Sequence, residues 1–162
     1  MGRHNKILKT DLAYIAGFLD GDGSIMIQIK KRKDDPRGWR LMFTVCFYQD
    51  SRHEKPLFWI KEKLGIGYIS RRKDGMTELR INGYEKVRNI LEKLGPYIKF
   101  KDKQVKYTLQ VLKFVTKSNF SKINKKDRIR IANNIFKSRQ ENYQSGSKRL
   151  DKLKSDLKKI IE

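Results

Sequence analysis

Two carboxylates, Asp20 and Asp22, alternate with glycines at the end of an apolar run, LAYIAGFLDGDGSI, at residues 12–25. Carboxylate oxygens held at one point suit Mg²⁺, a hard cation that accepts one or two acidic ligands. Because Gly21 and Gly23 favour non-helical backbone, the apolar run is predicted to be a helix that ends at these glycines. The pattern therefore predicts carboxylates able to hold Mg²⁺ at a helix end.

The same helix carries a stripe of small residues. The spacing i, i+3, i+4, i+7 places four of them on one helix face: Ala13, Ala16, Gly17 and Asp20. Small side chains allow a second backbone to approach closely. The stripe predicts a helix–helix interface that leads directly to the carboxylates.

Asp-Gly patterns also occur in calcium-binding loops, in dinucleotide-binding loops and at ordinary helix ends. A calcium-binding EF-hand loop that began at Asp20 would need glycine where Ile25 stands and a bidentate carboxylate where Lys31 stands. A dinucleotide-binding loop over residues 21–26 would lack the third glycine and would follow a helix rather than a strand. An ordinary helix end would leave the carboxylates solvated. The small-residue face and the basic composition favour a functional site over it.

Residues 15–23, IAGFLDGDG, resemble the signature nonapeptide of the LAGLIDADG homing endonucleases. The similarity extends from about Leu12 to about Lys103, and no specific match is visible over Lys113–Glu162. The motif occurs once, so the resemblance is to the single-motif, homodimeric branch of the family.

Composition indicates the class of partner. The chain has 162 residues with 39 Lys and Arg against 18 Asp and Glu, a formal charge of +21 and a pI of about 10.1. This excess of positive charge is typical of nucleic-acid binding. A membrane surface is a less favoured anionic partner, because no run of 18 apolar residues and no lipidation signal is visible. Disorder is expected only at the chain ends and in residues 31–39.

The remaining composition bears on metal sites and location. A single cysteine, Cys46, excludes an intramolecular disulfide and fits a reducing compartment. Two histidines, His4 and His53, are too few and too separated for a histidine metal site. The N-terminus lacks the features of a signal or transit peptide. We therefore expect a soluble protein that works in the organelle encoding it, a chloroplast or a mitochondrion, in line with the Lys-, Ile- and Asn-rich composition.

Hydrophobic periodicity predicts an α+β domain. Helices are predicted over Asp11–Asp20, with Thr10 or Asp11 as cap, and over 51–64, 84–94, 102–115, 125–143 and 147–161; strands are predicted over 25–31, 40–49, 67–72 and 76–82. The 51–64 helix has a capping box, Ser51 to Glu54, although Pro56 favours a later start. The sequence Glu-Lys-Leu-Gly occurs at 62–65 and 92–95, so a hairpin followed by a helix occurs twice.

The resulting fold class is αββαββα with one curved antiparallel sheet and extra C-terminal helices, and the family resemblance implies the same architecture. One domain is expected over residues 1–162, with a core at about 10–115 and a helical extension at about 116–162. The basic C-terminal helix has two interpretations, a solvated packing helix or a contact for phosphates near the DNA ends.

Strand alternation divides the sheet into two faces. Apolar residues are predicted to point inward from the first hairpin: Ile25, Ile27, Ile29, Leu41, Phe43, Val45 and Phe47. Side chains that suit base edges point outward, since Arg pairs with guanine, Gln with adenine and Glu with cytosine. The predicted DNA-binding residues are Gln28, Lys30, Arg32, Arg40, Thr44, Tyr48, Ser70, Arg72, Glu78 and Arg80.

The resemblance also implies catalytic roles. Asp22 corresponds to the side-chain metal ligand and the Gly21 carbonyl to the second ligand, with Mg²⁺ as the metal and Mn²⁺ expected to substitute. Gln49 and Lys101 match the positions that surround the attacking water. Arg52 is a weaker member of this pocket, and His53 could replace it. Asp20 is expected to cap or pack at the helix interface.

These observations predict a Mg²⁺-dependent, sequence-specific homing endonuclease that acts on double-stranded DNA as a homodimer and has no membrane partner. The resemblance implies a staggered double-strand break with short 3′ overhangs in a long, near-palindromic target, which would promote intron mobility. Two-fold pairing through the small-residue helix would place both copies of Asp22 beside the symmetry axis. The alternatives are an intron RNA maturase or a DNA-binding protein that keeps the fold without cutting, and more distantly a membrane-surface protein.

Overall fold

A computed structural model describes residues 7–117, 119–142 and 147–162. Its main elements are α1 (Lys9–Asp22), β1 (Gly23–Lys31), β2 (Trp39–Asp50), α2 (Lys55–Leu64), β3 (Tyr68–Arg71), β4 (Met76–Asn82), α3 (Tyr84–Leu94), α4 (Asp102–Val115), α5 (Lys125–Gln140) and α6 (Ser147–Ile161). Short 3₁₀ turns cover Ser51–His53, Gly95–Tyr97 and Phe120–Lys122. The order through α3 is αββαββα, which confirms the predicted fold class.

The four strands form one antiparallel sheet in the order β1-β2-β4-β3. The register aligns Ile25 with Val45, and Val45 with Ile81. These residues and the other inward positions of the first hairpin are buried against the helices, except for Ile29, which is partly buried, and Phe43 and Phe47 have no exposed surface. Period-two alternation therefore predicted the inward face correctly, since successive side chains in a strand point to opposite faces.

Helix α1 continues further than predicted. It begins at Lys9, one residue after Leu8, and neither Thr10 nor Asp11 caps it. It runs through Gly21 and ends at Asp22. Gly23 has extended backbone with φ −131°, and a Cβ there would lie 2.6 Å from a methyl group of Leu19. The predicted end at Asp20 was wrong, because Gly21 follows the packed helix despite its low helix propensity.

The predicted capping box at Ser51 is also wrong. The Glu54 carboxylate does not bond to the backbone N–H of Ser51, as a capping box requires. It accepts hydrogen bonds from the Arg71 guanidinium and the Thr77 hydroxyl instead. Residues 51–53 form a 3₁₀ turn capped by the Asp50 side chain, and α2 starts later with Pro56 in its first turn. Contacts from β3 and β4 thus outweigh the local cap.

Residues 32–38 form a hydrogen-bonded turn between β1 and β2, contrary to the disorder predicted over 31–39. Arg37 donates hydrogen bonds to both carboxylate oxygens of Asp35, at 2.9 Å each. The same guanidinium lies 4.9 Å from the ring centre of Trp39 and 5.0 Å from that of Phe120. This cluster attaches the tip of the β1–β2 hairpin to the segment between α4 and α5, and so offsets the entropy of ordering the turn.

Replacing Asp35 with asparagine should make stability less sensitive to acid. Hydrogen bonds from Arg37 lower the pKa of Asp35 from 3.8 to about 2. A carboxyl group with a lower pKa in the folded state contributes stability above its unfolded value, and this is lost as pH falls from 3.8 to about 2. Urea unfolding at about pH 5 and about pH 3 should show a larger loss for wild type than for Asp35→Asn.

The exposed neighbour Asp34, paired with Arg32, provides the control for this prediction. Asp34→Asn should keep the acid sensitivity of the wild type, because its ion pair is solvated and contributes little. Equal acid sensitivity of wild type and Asp35→Asn would contradict the stabilising role of the Asp35–Arg37 pair.

Helices α5 and α6 contribute to the same hydrophobic core as the sheet. Their buried residues include Ile131, Ile135, Leu157 and Ile160. Arg139 on α5 donates from Nε to the backbone carbonyl of Ile27 at 3.2 Å, which satisfies an acceptor on the edge strand β1. Burial lowers the pKa of Arg139. Among the helices that the structure describes, none is long and apolar enough to cross a membrane.

Candidate active site and nucleic-acid interface

Helix α1 presents a small-residue face to solvent, although not with the predicted members. Ala13, Gly17 and Gly21 are exposed, whereas Ala16 and Asp20 are buried within the protomer. A Cβ at Gly17 or Gly21 would meet nothing within 4 Å. The assignment of Ala16 and Asp20 to a dimer face was therefore wrong, because packing rotates the helix so that positions 13, 17 and 21 form the open stripe.

The end of this stripe carries the predicted metal ligand. Asp22 is the last residue of α1 and is exposed, directly before β1. The last carbonyl groups of a helix lack partners within it, and the carbonyl of Gly21 belongs to this set. A carboxylate and a backbone carbonyl are thus presented together where α1 meets the sheet.

Lys101 lies beside these groups, as the motif alignment implied. It is half-buried, and its Nζ donates to the backbone carbonyl of Asp20. Desolvation lowers the pKa of Lys101, while the negative charges of Asp20 and Asp22 oppose that effect. The structure therefore places the Lys101 ammonium at the end of α1 that carries the exposed Asp22 carboxylate, although the two segments lie far apart in the sequence.

The donor set of one protomer fits Mg²⁺ only in part. No group of three or more His, Cys, Asp or Glu residues that could hold a metal occurs among residues 7–117, 119–142 and 147–162. Asp20 accepts three backbone hydrogen bonds, which leaves Asp22 as the available carboxylate. Mg²⁺ typically keeps several waters and binds one or two carboxylates together with substrate phosphates. Asp22 with the Gly21 carbonyl suits a metal whose coordination is completed by substrate.

The other predicted catalytic residues lie at the end of β2. The side-chain oxygen of Gln49 accepts a hydrogen bond from the backbone N–H of Asp50 at 2.9 Å. Arg52 is exposed and donates to both oxygens of the Asp50 carboxylate, and this pairing lowers the pKa of Asp50. His53 is exposed as well. Their roles around an attacking water stay predictions.

The strand register gathers the predicted DNA-binding residues on one face of the sheet. Lys30 pairs with Arg40, Tyr48 with Glu78, and Glu78 with Ser70. In antiparallel strands such partners share a face. The same face carries further residues that were not assigned to DNA binding: Ser24, Met26, Met42, Tyr68 and Asn82.

Two of the predicted DNA-binding residues are buried beneath their neighbours. Thr44 has no exposed surface, and its hydroxyl donates to Asn82 Oδ1 at 2.7 Å. Glu78 is 5% exposed and accepts hydrogen bonds from Arg72 at 3.1 Å and Arg80 at 2.8 Å. The expectation that both reach base edges was wrong for this arrangement. They lie in central strands, where flanking side chains cover short groups.

The buried pairs orient the longer side chains around them. Glu78 holds two guanidinium groups, and a paired arginine retains free N–H donors because the group carries five. The Tyr48 hydroxyl lies 2.8 Å from the Ser24 hydroxyl, and burial raises the pKa of Tyr48. Gln28 has a buried side-chain oxygen with no hydrogen-bond partner among the described residues. The side chains on the outward face of the sheet are therefore partly fixed in position before any DNA binds.

Comparison with known proteins identifies the family. A family model described as LAGLIDADG endonuclease matches residues 15–114. The chain therefore belongs to the LAGLIDADG endonuclease family, which confirms the resemblance seen in the nonapeptide.

Two curated relatives come from algae. The chain is 36% identical over 101 residues to the DNA endonuclease I-CvuI of Chlorella vulgaris, an alignment that covers 62% of this chain and 63% of that protein. It is 30% identical over 109 residues to the DNA endonuclease I-CreI of Chlamydomonas reinhardtii, covering 67% and 66% respectively. The aligned region thus spans just under two thirds of each relative.

The structural similarity covers more of the chain. The crystal structure of I-CvuI bound to the I-CreI target in 2 mM Mg, with the DNA not cleaved, superposes with a TM-score of 0.73 and 28% identity. That superposition covers 95% of this chain and 96% of the other. The C-terminal helices, for which the sequence showed no specific match, are thus included in the shared fold.

Proposed function

We propose that this chain is a sequence-specific, Mg²⁺-dependent DNA endonuclease that acts as a homodimer. The observation that carries the proposal is that half-buried Lys101 donates to the Asp20 carbonyl at the end of α1, two residues before the exposed Asp22 carboxylate. Family membership supports it, since two relatives are named DNA endonucleases.

The proposed chemistry is hydrolysis of a phosphodiester bond. Asp22 and the Gly21 carbonyl would hold Mg²⁺, which when bound polarises the scissile phosphate and lowers the pKa of a water ligand. Lys101 would stabilise negative charge that develops on the phosphate. Gln49 would orient the attacking water. Substitution of Mn²⁺ for Mg²⁺ stays a prediction.

A homodimer follows from the geometry of α1. One protomer offers one exposed acidic ligand, Asp22, whereas a duplex has two strands to cut. The open stripe of Ala13, Gly17 and Gly21 leads directly to this residue, and two-fold pairing along it would bring both carboxylates beside the axis. The two reading faces would then extend outward over half-sites of a near-palindromic target.

The size and charge of the sheet suit a DNA groove. The nine residues of β1 rise about 30 Å at roughly 3.3 Å each, close to one turn of duplex DNA at ~34 Å. Two-stranded ribbons fit the major groove. Gln28, Lys30, Arg40 and Arg80 are the proposed base-reading side chains, and Arg32 and Arg72 lie one residue beyond their strands. The formal charge of +21 would supply phosphate contacts.

Incubation with DNA and metal tests the proposal. The probes are the intronless duplex that joins the sequences flanking this reading frame, and a library of randomised palindromes. With Mg²⁺ we expect a staggered double-strand break at one site, and with EDTA we expect binding without cleavage. Specific binding with no break in either Mg²⁺ or Mn²⁺ would contradict the endonuclease proposal. Selective binding to the host intron RNA would indicate a maturase instead.

Replacing Arg80 with alanine should relax base preference at a few positions in both half-sites. The Arg80 guanidinium is 27% exposed and bonds to Glu78, and it retains further N–H donors for a base edge. A good base contact contributes ~1–3 kcal/mol of discrimination. A cleavage profile across all single-base variants of the target provides the measurement.

Arg71 is the matched control for Arg80. It lies in the neighbouring strand with the opposite parity, and its guanidinium bonds to Glu54. Arg71→Ala should leave base preference unchanged. If Arg80→Ala instead weakens all targets equally, the outward face acts as an electrostatic platform and does not read sequence.

A further inference from the structure

Asp20 is connected to a segment that lies 79 to 81 residues further along the chain. The backbone N–H groups of Lys99 and Phe100 donate to its Oδ2 at 2.6 and 3.2 Å. The N–H of Lys101 donates to its Oδ1 at 3.0 Å. Asp20 is 8% exposed, and a buried carboxylate needs such donors in place of water. The three bonds hold residues 99–101 against the end of α1.

A fourth contact fixes the direction of the Lys101 side chain. Its Nζ donates to the backbone carbonyl of Asp20. Both the main chain and the side chain of Lys101 are therefore held by one residue, which stands two positions before Asp22. The segment cannot shift along α1 without breaking these bonds together.

The carboxylate of Asp20 has little remaining capacity for a metal or for DNA. An ionised carboxylate has about four lone-pair sites, and three of them already accept N–H groups. Its oxygens also point into the protomer, whereas Asp22 is exposed. The two acidic residues of the motif thus have different surroundings.

We propose that Asp20 is a positioning residue for cleavage, whose carboxylate holds residues 99–101 so that the Lys101 ammonium stands beside Asp22. The inference rests on the proposed endonuclease function. Asp20 acts through Lys101, and Lys101 is the group that would face the scissile phosphate.

A double-mutant cycle tests the inference. The variants are Asp20→Asn, Lys101→Met and the double substitution. Asparagine has nearly the size of aspartate, but its NH₂ group cannot accept an N–H bond. The clamp, meaning the three hydrogen bonds from the N–H groups of residues 99–101 to Asp20, therefore loses at least one contact. The measurement is single-turnover cleavage of a palindromic duplex selected from the randomised library, at saturating Mg²⁺.

Each single variant should cleave about 100-fold more slowly, the loss that a misplacement of ~1 Å produces. If Asp20 acts through Lys101, the double variant should cleave about as slowly as Lys101→Met alone. Independent roles would instead multiply to a loss of about 10⁴-fold. Multiplicative losses with an active wild type would overturn the inference and leave the endonuclease proposal intact.

Two controls separate positioning from folding. The Asp127 carboxylate also accepts hydrogen bonds, from Asn124 and Arg130, but lies at the start of α5. Asp127→Asn should therefore cleave at the wild-type rate. Target affinity of Asp20→Asn, measured in Ca²⁺, should match that of the wild type. A loss of affinity equal to the loss of rate would indicate a structural defect and overturn the inference.

Amide hydrogen exchange provides a readout that needs neither DNA nor metal. In Asp20→Asn, exchange at Lys99, Phe100 and Lys101 should accelerate while the interior of α4 keeps its protection. Unchanged exchange at these three amides would overturn the clamp even if the wild type cuts no DNA. An inactive wild type with accelerated exchange would contradict the proposed function and support the clamp.

Discussion

Replacing Asp22 with asparagine should slow DNA cleavage by about 10³-fold, because a metal ligand contributes several kcal/mol of transition-state stabilisation. Asp22 is the exposed carboxylate at the end of α1, whereas Asp20 is buried and already accepts three backbone N–H groups. Among the residues that the structure describes, there is no group of three or more His, Cys, Asp or Glu that could hold a metal instead. Gel-based cleavage at saturating Mg²⁺ provides the measurement.

Specific binding by Asp22→Asn should survive or strengthen. The substitution removes one negative charge close to the DNA backbone and leaves the basic surface unchanged. Asp151→Asn, an exposed carboxylate on α6, is the control and should cleave like the wild type. Cleavage by Asp22→Asn at the wild-type rate would exclude Asp22 from metal binding.

Replacing Gly17 with leucine should weaken the dimer while leaving the protomer folded. A side chain at Gly17 would meet nothing within 4 Å in the protomer, and glycine inside a helix costs about 1 kcal/mol relative to better helix formers. The protomer should therefore tolerate or gain from leucine. At a close helix–helix contact, overpacking costs ~1–3 kcal/mol. This cost corresponds to a dimer that is about 5- to 150-fold weaker.

Sedimentation at several concentrations, with thermal unfolding of the same samples, measures both effects. Asn89, an exposed residue of α3, provides the control, and Asn89→Leu should keep the wild-type association. An unchanged dimer in Gly17→Leu would place the interface elsewhere. A wild type that stays monomeric on a palindromic target would contradict the dimer proposal itself.

Local periodicity predicted much of the fold from the sequence. Helix α3 (Tyr84–Leu94) and helix α4 (Asp102–Val115) begin and end where the pattern placed them. The alternation in β1 and β2 assigned the apolar residues to the buried face. These features depend on the geometry of a helix or strand and on its own side chains, so they are visible without knowledge of the neighbours.

Two of the wrong predictions share one cause, which is competition from residues distant in sequence. Glu54 was expected to cap a helix, but Arg71 and Thr77 bind it. Asp20 was expected at a dimer face, but it bonds to residues 99–101. A short motif shows which side chains can bond, and it does not show which partners the fold brings close.

By itself the sequence determined the chemistry that is possible: a motif with Asp22 at its end, a basic chain, and strands with one apolar and one polar face. Tertiary structure alone decided which of those groups are accessible. It buried Thr44 and Glu78, opened the Ala13, Gly17 and Gly21 stripe, and brought Lys101 to the end of α1. Side-chain type follows from the sequence, whereas exposure and long-range pairing depend on how whole elements pack and which face each turns to its neighbour.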